Sequence, residues 1–300
     1  MKRVVGIDIG GTNIAIGLFT PEGKILKSTT IATNALAPFE EVKGEIFTVI
    51  DRFLEAKAIL LGIGIGCTGP LDTARGVIRN PYTLPGWGTV SICAIFQRRY
   101  NCTVQLENDA DCALLGEIFA RRNVYNIRNA IMLTFGTGVG GAVLLNGKLF
   151  KSETFGHPEF GHIIVAPGEG ECYCGRSGCL ESVASGSALS KGAKELGYRN
   201  FYDLVEKGGL LTEGRALVER WSEYVGRALW TFAHIFAPSL IIFTGGVVES
   251  LFSITRTKII ESLEEGRFFG DFTLEQSVLG LDAGMVGAAT LILSELIDND

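Results

Sequence analysis

Several short runs in this 300-residue chain combine residue types that can do chemistry at close spacing. Asp8-Ile9-Gly10-Gly11-Thr12-Asn13 ends an apolar strand, where paired glycines let backbone approach an anion and turn N–H groups towards it. The Asp8 carboxylate beside that turn is suited to Mg²⁺, because hard oxygen ligands and phosphates favour that ion. Taken alone, the run is equally a plain Gly-Gly hairpin turn. Thr134-Phe135-Gly136-Thr137-Gly138-Val139-Gly140-Gly141 offers the same chemistry a second time. Neither run is a Walker loop, since no Gly-Lys-Ser/Thr follows, and neither opens a helix as G-x-G-x-x-G does, since both feed strands. A two-part nucleotide clamp is the economical reading. Thr244-Gly245-Gly246-Val247 ends a further strand ahead of a helix, where open α/β sheets bind ligands, so Gly245 and Gly246 could pack against an adenine or ribose. A simple strand-to-helix turn is the alternative there.

Two other runs carry polar chemistry. In Glu107-Asn108-Asp109, after strand Val104–Leu106, Asp109 can accept a proton from a substrate hydroxyl while Asn108 both donates to and accepts from a neighbouring one. Helix capping is the commoner role of such residues and is compatible with catalysis. His162, Cys172, Cys174 and Cys179 make a Cys₃His set, the composition of closed structural Zn²⁺ sites, and Gly170, Gly175 and Gly178 permit the tight turns it needs. Glu159 and Glu181 flank the set; held rigidly, they would suit a polyol, and otherwise they are solvated surface acids. His234 falls on an apolar helix face and is expected to be a packed core residue.

The elements that must position these groups follow from hydrophobic periodicity. Strands are predicted at Val4–Ile9, Ile14–Phe19 and Lys24–Ile31 as an antiparallel meander, then a helix over 39–55 on Val42, Ile46, Val49, Ile50 and Phe53. A buried strand Ile59–Ile65, a loop with Pro70, Pro81 and Pro85, a helix near 90–100 and the strand Val104–Leu106 complete a first lobe, 1–110. The pattern then restarts at Ile131–Phe135, Gly140–Leu145 and Lys148–Phe150. At an offset of 124 residues, Gly17, Gly23 and Lys24 fall on Gly141, Gly147 and Lys148. Helical patterns over 212–236 and 281–297 and a strand Leu240–Phe243 belong to a second lobe, 111–300, whose final helix (about 285–297) is assigned to pack back on the first.

Composition narrows the function. With 47% apolar and 20% charged residues the chain is globular, and a net charge of −6 offers no field for phosphate backbones, so nucleic acid is not an expected partner. No apolar run of about eighteen residues occurs and no signal peptide is read, so no membrane association and a cytoplasmic location are expected. There the seven cysteines stay reduced, as core thiols or metal ligands. Glycine, at 39 residues, is nearly double the usual share of about 7%.

The ordered set of Asp8-Ile9-Gly10-Gly11-Thr12, Glu107-Asn108-Asp109-Ala110, Gly136-Thr137-Gly138-Val139-Gly140-Gly141, Glu159-Phe160-Gly161-His162 and Cys172-Tyr173-Cys174-Gly175-Arg176-Ser177-Gly178-Cys179-Leu180-Glu181 resembles the ROK family of bacterial sugar kinases. The resemblance implies a two-lobed actin-like (ribonuclease H-like) α/β fold with a zinc loop in the second lobe, and commonly a homodimer. It implies that ATP, Mg²⁺ and a hexose meet in a cleft. Asp109 would take the proton from the sugar 6-hydroxyl. Asn108, Glu159, His162 and Glu181 would hold other hydroxyls, with Gly69 and Asn80 counted among the sugar-site residues because their loops look most like those of glucokinases. Asp8, Gly10, Gly11, Thr12, Asn13, Gly136, Thr137 and Gly138 would hold the phosphates and their cation, and Gly245 and Gly246 would line the adenosine pocket. Asn13 stands where Lys is frequent, and His157-Pro158 where small residues are usual. Glucose is the first expected sugar; N-acetylmannosamine or N-acetylglucosamine is the second. The family's repressors carry a helix-turn-helix ahead of the first glycine turn, for which Asp8 leaves no room; a non-catalytic sugar sensor is opposed by the intact Asp109.

Overall fold

Three strands, β1 (Lys2–Ile9), β2 (Asn13–Phe19) and β3 (Ile25–Ala32), open the chain as an antiparallel meander. Helix α1 (Phe39–Phe53) follows, burying Val42, Ile46, Val49, Ile50 and Phe53 on one face, with Glu40 and Glu41 in its first turn and Arg52 in its last, as the helix dipole favours. Strand β4 (Ile59–Cys67) lies parallel to β1, and β8 (Thr103–Asn108) parallel to β4, giving the sheet order β3-β2-β1-β4-β8. The structure is a computed structural model describing residues 1–54, 58–124, 126–151, 157–264 and 270–297; residue 55, the expected end of the first helix, lies outside them.

The proline-containing stretch read as a loop carries a small antiparallel sheet, β5 (Leu71–Asp72), β6 (Val77–Arg79) and β7 (Thr89–Val90), followed by α2 (Ile92–Tyr100). These strands are two or three residues long, below the length at which alternation is legible.

The later part repeats the first. Strands β9 (Ala130–Phe135), β10 (Val139–Leu145) and β11 (Lys148–Leu149) form a second meander, and β12 (Leu240–Thr244) and β13 (Thr273–Gln276) add to it in parallel, in the order β11-β10-β9-β12-β13. Position by position, this is the order and sense of the first sheet. Helices α4 (Leu180–Ala184), α5 (Gly186–Glu195), α6 (Phe201–Glu206), α7 (Arg215–Phe236) and α8 (Gly246–Glu264) complete this unit. His234 is exposed on α7, contrary to the expected core position; its Nδ1 lies 2.8 Å from the Trp230 carbonyl and its ring 4.3 Å from the Trp230 ring. The buried stripe of α7 runs instead through Val218, Trp221, Val225, Leu229 and Phe232.

The two compact units are Met1–Asn126 with Val278–Asp300, and Ile127–Ser277. The division expected at 110/111 therefore falls later, because α3 (Asp109–Arg121) packs on α9 (Ala283–Ile297) within the first unit. Small residues permit this. A Cβ on Gly64 of β4 would strike the Ala288 backbone of α9, and one on Gly287 would strike the Cys112 carbonyl of α3. Cβ atoms on Gly6, Gly62, Gly116 and Gly284 would also lie too close to neighbouring atoms, at 2.2, 2.8, 2.3 and 2.3 Å. Buried Glu117 of α3 pairs with Arg121 and accepts from the Val278 and Leu279 amides at 3.2 and 3.0 Å, which ties the returning segment to the unit. Among the described residues no helix is long and apolar enough to cross a membrane.

Candidate active site and metal centre

The carboxyl ends of β1, β4 and β8 lie level, with Ile9, Cys67 and Asn108 in one register row. Asp8 and Asp109 therefore flank the same sheet end, with β4 between their strands. The Gly10-Gly11-Thr12 turn leaves this row already braced. Gly10 N–H donates to the Asn13 carbonyl at 3.0 Å, and fully buried Thr33 holds the turn from β3, its N–H to the Thr12 carbonyl at 2.9 Å and its Oγ1 to the Gly10 carbonyl at 2.7 Å. Among the described residues no protein acceptor meets the Gly11 and Thr12 amides. That is the arrangement of donors an anion uses.

Asp8 sits against Gly284, in the first turn of α9, where any Cβ would strike its carboxylate. Its Oδ1 is buried and, among the described residues, has no hydrogen-bond partner. Burial first and the charge of Asp109 second push the Asp8 carboxyl up to about 7. An acid oxygen so placed fits a cation. It also makes the apo protein less stable, with a sign that can be worked out. An acid with a raised folded-state pKa binds its proton more tightly in the native state, so stability falls as pH rises from about 4 to about 7 and stays lowered above. Asp8→Asn is expected to raise stability by up to about 4 kcal/mol at pH 8 and by little at pH 4. Thermal melts of the protein without added ligand at both pH values check this; an equal effect at both would refute it.

Three acids stand in the run 107–111, and burial separates them. Glu107 is 9% exposed and accepts from the Asn108 amide at 2.7 Å, and Asp111 is fully buried. Asp109 alone of the three is half-buried rather than buried, at the first turn of α3. Asn108 is the cap of that helix, its Oδ1 accepting from the Ala110 and Asp111 amides at 2.9 and 3.3 Å. Its Nδ2 faces Gly69, where an added Cβ would lie 3.9 Å away. Asn80, 1% exposed, is differently committed: Oδ1 accepts from the Tyr82 and Thr83 amides at 3.1 and 2.9 Å and Nδ2 donates to the Thr68 carbonyl at 3.1 Å. It holds the 80–83 loop against the residue preceding Gly69. Thr83 in turn packs on the Gly10-Gly11-Thr12 turn, its Cγ2 2.6 Å from where a Gly11 Cβ would be. Thr33 and Thr83 had no sequence signal, because their roles arise from β3 and a distant loop meeting at one turn. Asn13 is exposed.

In the second unit, the Gly136-Thr137-Gly138 turn is held from α5 and α4. The Gly136 carbonyl accepts from the Gly186 amide at 2.7 Å, and the Thr137 carbonyl from Ser187 Oγ at 2.8 Å. Glu181 Oε2 accepts from the Val139 amide at 2.8 Å and stands directly against Gly138. This acid thus joins the cysteine loop to the glycine turn, a contact the sequence did not indicate. Gly245 has φ of +100° against the Phe135 carbonyl, and Gly246 opens α8 beside the Tyr202 hydroxyl, 2.6 Å from its ideal Cβ.

The donor atoms of His162, Cys172, Cys174 and Cys179 all lie within 4.8 Å of one another. Cys174 and Cys179 Sγ are 3.5 Å apart, and Cys172 Sγ is 3.5 Å from His162 Nδ1. Tetrahedral Zn²⁺ with bonds of about 2.0–2.3 Å sets its ligands about 3.5–3.8 Å apart, so these donors fit that ion and leave no open position. Hydrogen bonds, from the Arg176 backbone first, draw the Cys174 thiol down, while desolvation pushes Cys179 up to about 12. Binding a cation would release those protons. Positive φ at Gly170, Gly175 and Gly178 makes the turns, and α7 anchors the loop through Tyr224 to Glu169 at 2.6 Å and Arg227 to the Val165 carbonyl at 2.9 Å. Glu159 is about half exposed, with His157 Nε2 4.0 Å from its Oε1.

Comparison with known proteins bears on these arrangements. The ROK family profile matches residues 4–295. A glucokinase of Thermotoga maritima is 33% identical over 313 aligned positions, covering 97% of this chain and 97% of its own. The ROK hexokinase of Thermus thermophilus has a similar structure, with TM-score 0.84 at 32% identity over 99% of this chain and 100% of that one. A ROK family glucokinase from Streptomyces griseus, solved with glucose and AMPPNP, has TM-score 0.76 at 28% identity over 96% of this chain and 98% of its own.

Proposed function

Since the chain belongs to the ROK family and is an ATP-dependent sugar kinase, we propose that it transfers the γ-phosphoryl group to the 6-hydroxyl of a hexose, glucose first. The observation that carries the reading is the pair at one sheet end: Asp8, with a buried orphan oxygen, and half-buried Asp109 at the start of α3. Asp109 receives the proton of the 6-hydroxyl as O6 bonds to the γ-phosphorus, the bond from phosphorus to the bridging oxygen breaks, and ADP leaves. A loose transition state asks little basicity of this acid until late, so an ordinary carboxylate suffices. Bound Mg²⁺ neutralises charge on the phosphoryl oxygens, and Asp8 is the residue that would hold it.

The remaining roles are assigned residue by residue. Gly10, Gly11, Thr12, Asn13 and Gly136, Thr137, Gly138 offer backbone amides to phosphate, and Gly245 and Gly246 take the adenosine. Asn108 donates to a sugar hydroxyl; Glu159, His162 and Glu181 belong to the sugar as well, on a loop that Zn²⁺ holds through His162, Cys172, Cys174 and Cys179. Gly69 lies beside Asn108, and Asn80 acts through the loop it fixes. The enzyme works in the cytoplasm as a homodimer, with no membrane or nucleic-acid partner. Glucose is favoured by the 66–70 and 80–87 loops and by the glucokinase relatives. His157, 4.0 Å from Glu159, adds an imidazole beside a sugar carboxylate, and N-acetylmannosamine or N-acetylglucosamine is the second reading.

A coupled assay of ADP release with glucose, mannose and both N-acetylated amines tests this. Glucose is expected to give the highest kcat/KM. Turnover confined to an N-acetylated sugar overturns the choice of glucose, and ATP consumption that no hexose stimulates overturns the proposed reaction.

A further inference from the structure

Strand alternation puts Gly6 and Asp8 on one face of β1, and their register partners Gly64 and Gly66 on the same face of β4. All but Asp8 lack a side chain, so α9 lies on this face at backbone contact: a Cβ on Gly6 would strike the Met285 carbonyl, and one on Gly64 the Ala288 carbonyl. At Asp8 the track of glycines ends, and there the helix gives up its own side chain. The ideal Cβ of Gly284 falls 2.3 Å from Asp8 Oδ2, 2.5 Å from its Cγ and 2.9 Å from its Oδ1, so the whole carboxylate fills the space of the missing methyl. On the strand side, Oδ1 lies 3.4 Å from where a Gly66 Cβ would be, a point 3.1 Å from Cys112 Sγ. The same turn of α9 also meets α3, with the Ala283 carbonyl against Gly116 and Gly287 against the Cys112 carbonyl. Gly284 differs from these neighbours in what it meets. At Gly6, Gly64, Gly116 and Gly287 the nearest atom is a backbone carbonyl, whereas at Gly284 the three nearest all belong to an acid whose Oδ1, among the described residues, has no hydrogen-bond partner.

We infer that Gly284 is a positioning residue for phosphoryl transfer: by carrying no side chain it lets the Asp8 carboxylate lie against α9 with Oδ1 kept for the phosphate-bound cation, and any larger residue turns that carboxylate away. It acts through Asp8 and touches no substrate. The inference rests on the sugar-kinase reading above, in which Asp8 holds Mg²⁺. Helix stability does not call for this residue, since glycine is the poorest ordinary helix former and alanine the best. Placement of the acid does, because a small displacement of a catalytic group is costly in rate even when the fold is kept.

The test is Gly284→Ala in the full chain, alone and combined with Asp8→Ala or Asp8→Asn. In thermal melts without added ligand, Gly284→Ala is expected to lower Tm by about 3–8 °C, as overpacking by one methyl does. The same loss is expected beside Asp8→Asn, which keeps the side-chain volume, and none beside Asp8→Ala, which removes the three atoms struck. With hexose and ATP, kcat of Gly284→Ala should fall about 10–100-fold and the Mg²⁺ concentration for half-maximal rate should rise at least about threefold, while hexose Kd without nucleotide stays within about twofold. A Tm loss that persists beside Asp8→Ala puts the clash elsewhere and overturns the inference. So do an unchanged kcat and Mg²⁺ requirement, which would leave Gly284 to packing alone. A parent enzyme that no hexose turns over overturns the sugar-kinase reading itself, and the inference with it.

Discussion

Asp109→Ala is expected to lower kcat for hexose phosphorylation by about 10²–10⁴, while the Kd for the sugar, measured without nucleotide, changes less than about threefold. The split follows from position. Asp109 opens α3 one residue beyond the cap, so the Asn108 contacts to the Ala110 and Asp111 amides survive its truncation, and with them the helix start and the side chain facing Gly69. What is lost is the carboxylate proposed to accept the 6-hydroxyl proton. Removing its charge also lets Asp8 ionise more readily, since Asp109 is the second cause of its raised pKa. Asp109→Asn separates shape from basicity: it keeps the side-chain volume and an oxygen for the Ala110 amide, and it is expected to be as inactive as the alanine variant. Stopped assays over a range of sugar and ATP concentrations give the measurement. A kcat within tenfold of the parent enzyme would sink the assigned role, and Glu107 and Asp111 could not replace it, being buried in the sheet end and the helix.

The second large effect concerns the cysteine loop. Cys174→Ser is expected to reduce bound zinc from about one per chain to below about 0.1, since an alcohol is a far poorer ligand than a thiolate in a closed four-donor site. The consequence should reach the sugar. Glu181 lies two residues after Cys179, and its Oε2 accepts from the Val139 amide beside Gly138, so a loosened loop releases both the carboxylate proposed for the sugar and one brace of the glycine turn. Hexose Kd is expected to rise at least tenfold and the KM for ATP by a smaller factor, because the Gly186 and Ser187 contacts to that turn remain. Elemental analysis and calorimetry test the two parts separately. Zinc absent from the parent protein would remove the premise. A variant without zinc that binds sugar normally would break the link from metal to Glu181.

How much of this was legible in the chain varies by kind of feature. Runs that do their chemistry locally could be read directly: Gly-Gly after an apolar strand, thiols two residues apart among glycines, an Asn-Asp step before a helix. The repeat of strand, glycine turn, strand and Gly-Lys turn at an offset of 124 residues also foretold the two meanders, because meanders are built from neighbours in sequence. The 71–90 strands were not legible, being too short to show alternation. Neither was the exposure of His234, which falls on the face of α7 that carries Arg227 and Thr231, both exposed, and not on the buried stripe.

What the sequence determined by itself was the chemistry: which residues can hold phosphate, a cation, zinc and a hydroxyl proton. Tertiary structure decided where each of them stands. It left Asp109 half-buried while burying Glu107 and Asp111, committed Asn80 to clasping the 80–83 loop, and brought Thr33 and Thr83 to one turn. It also divided the glycine excess again, since Gly6, Gly62, Gly64, Gly116, Gly284 and Gly287 serve neither turn nor metal loop but let α3 and α9 approach β1 and β4. The physical reason is range. A turn or a ligand cluster is specified by spacing within a dozen residues, whereas burial, shared hydrogen bonds and helix-to-sheet distance depend on segments that are far apart in sequence and adjacent only once folded.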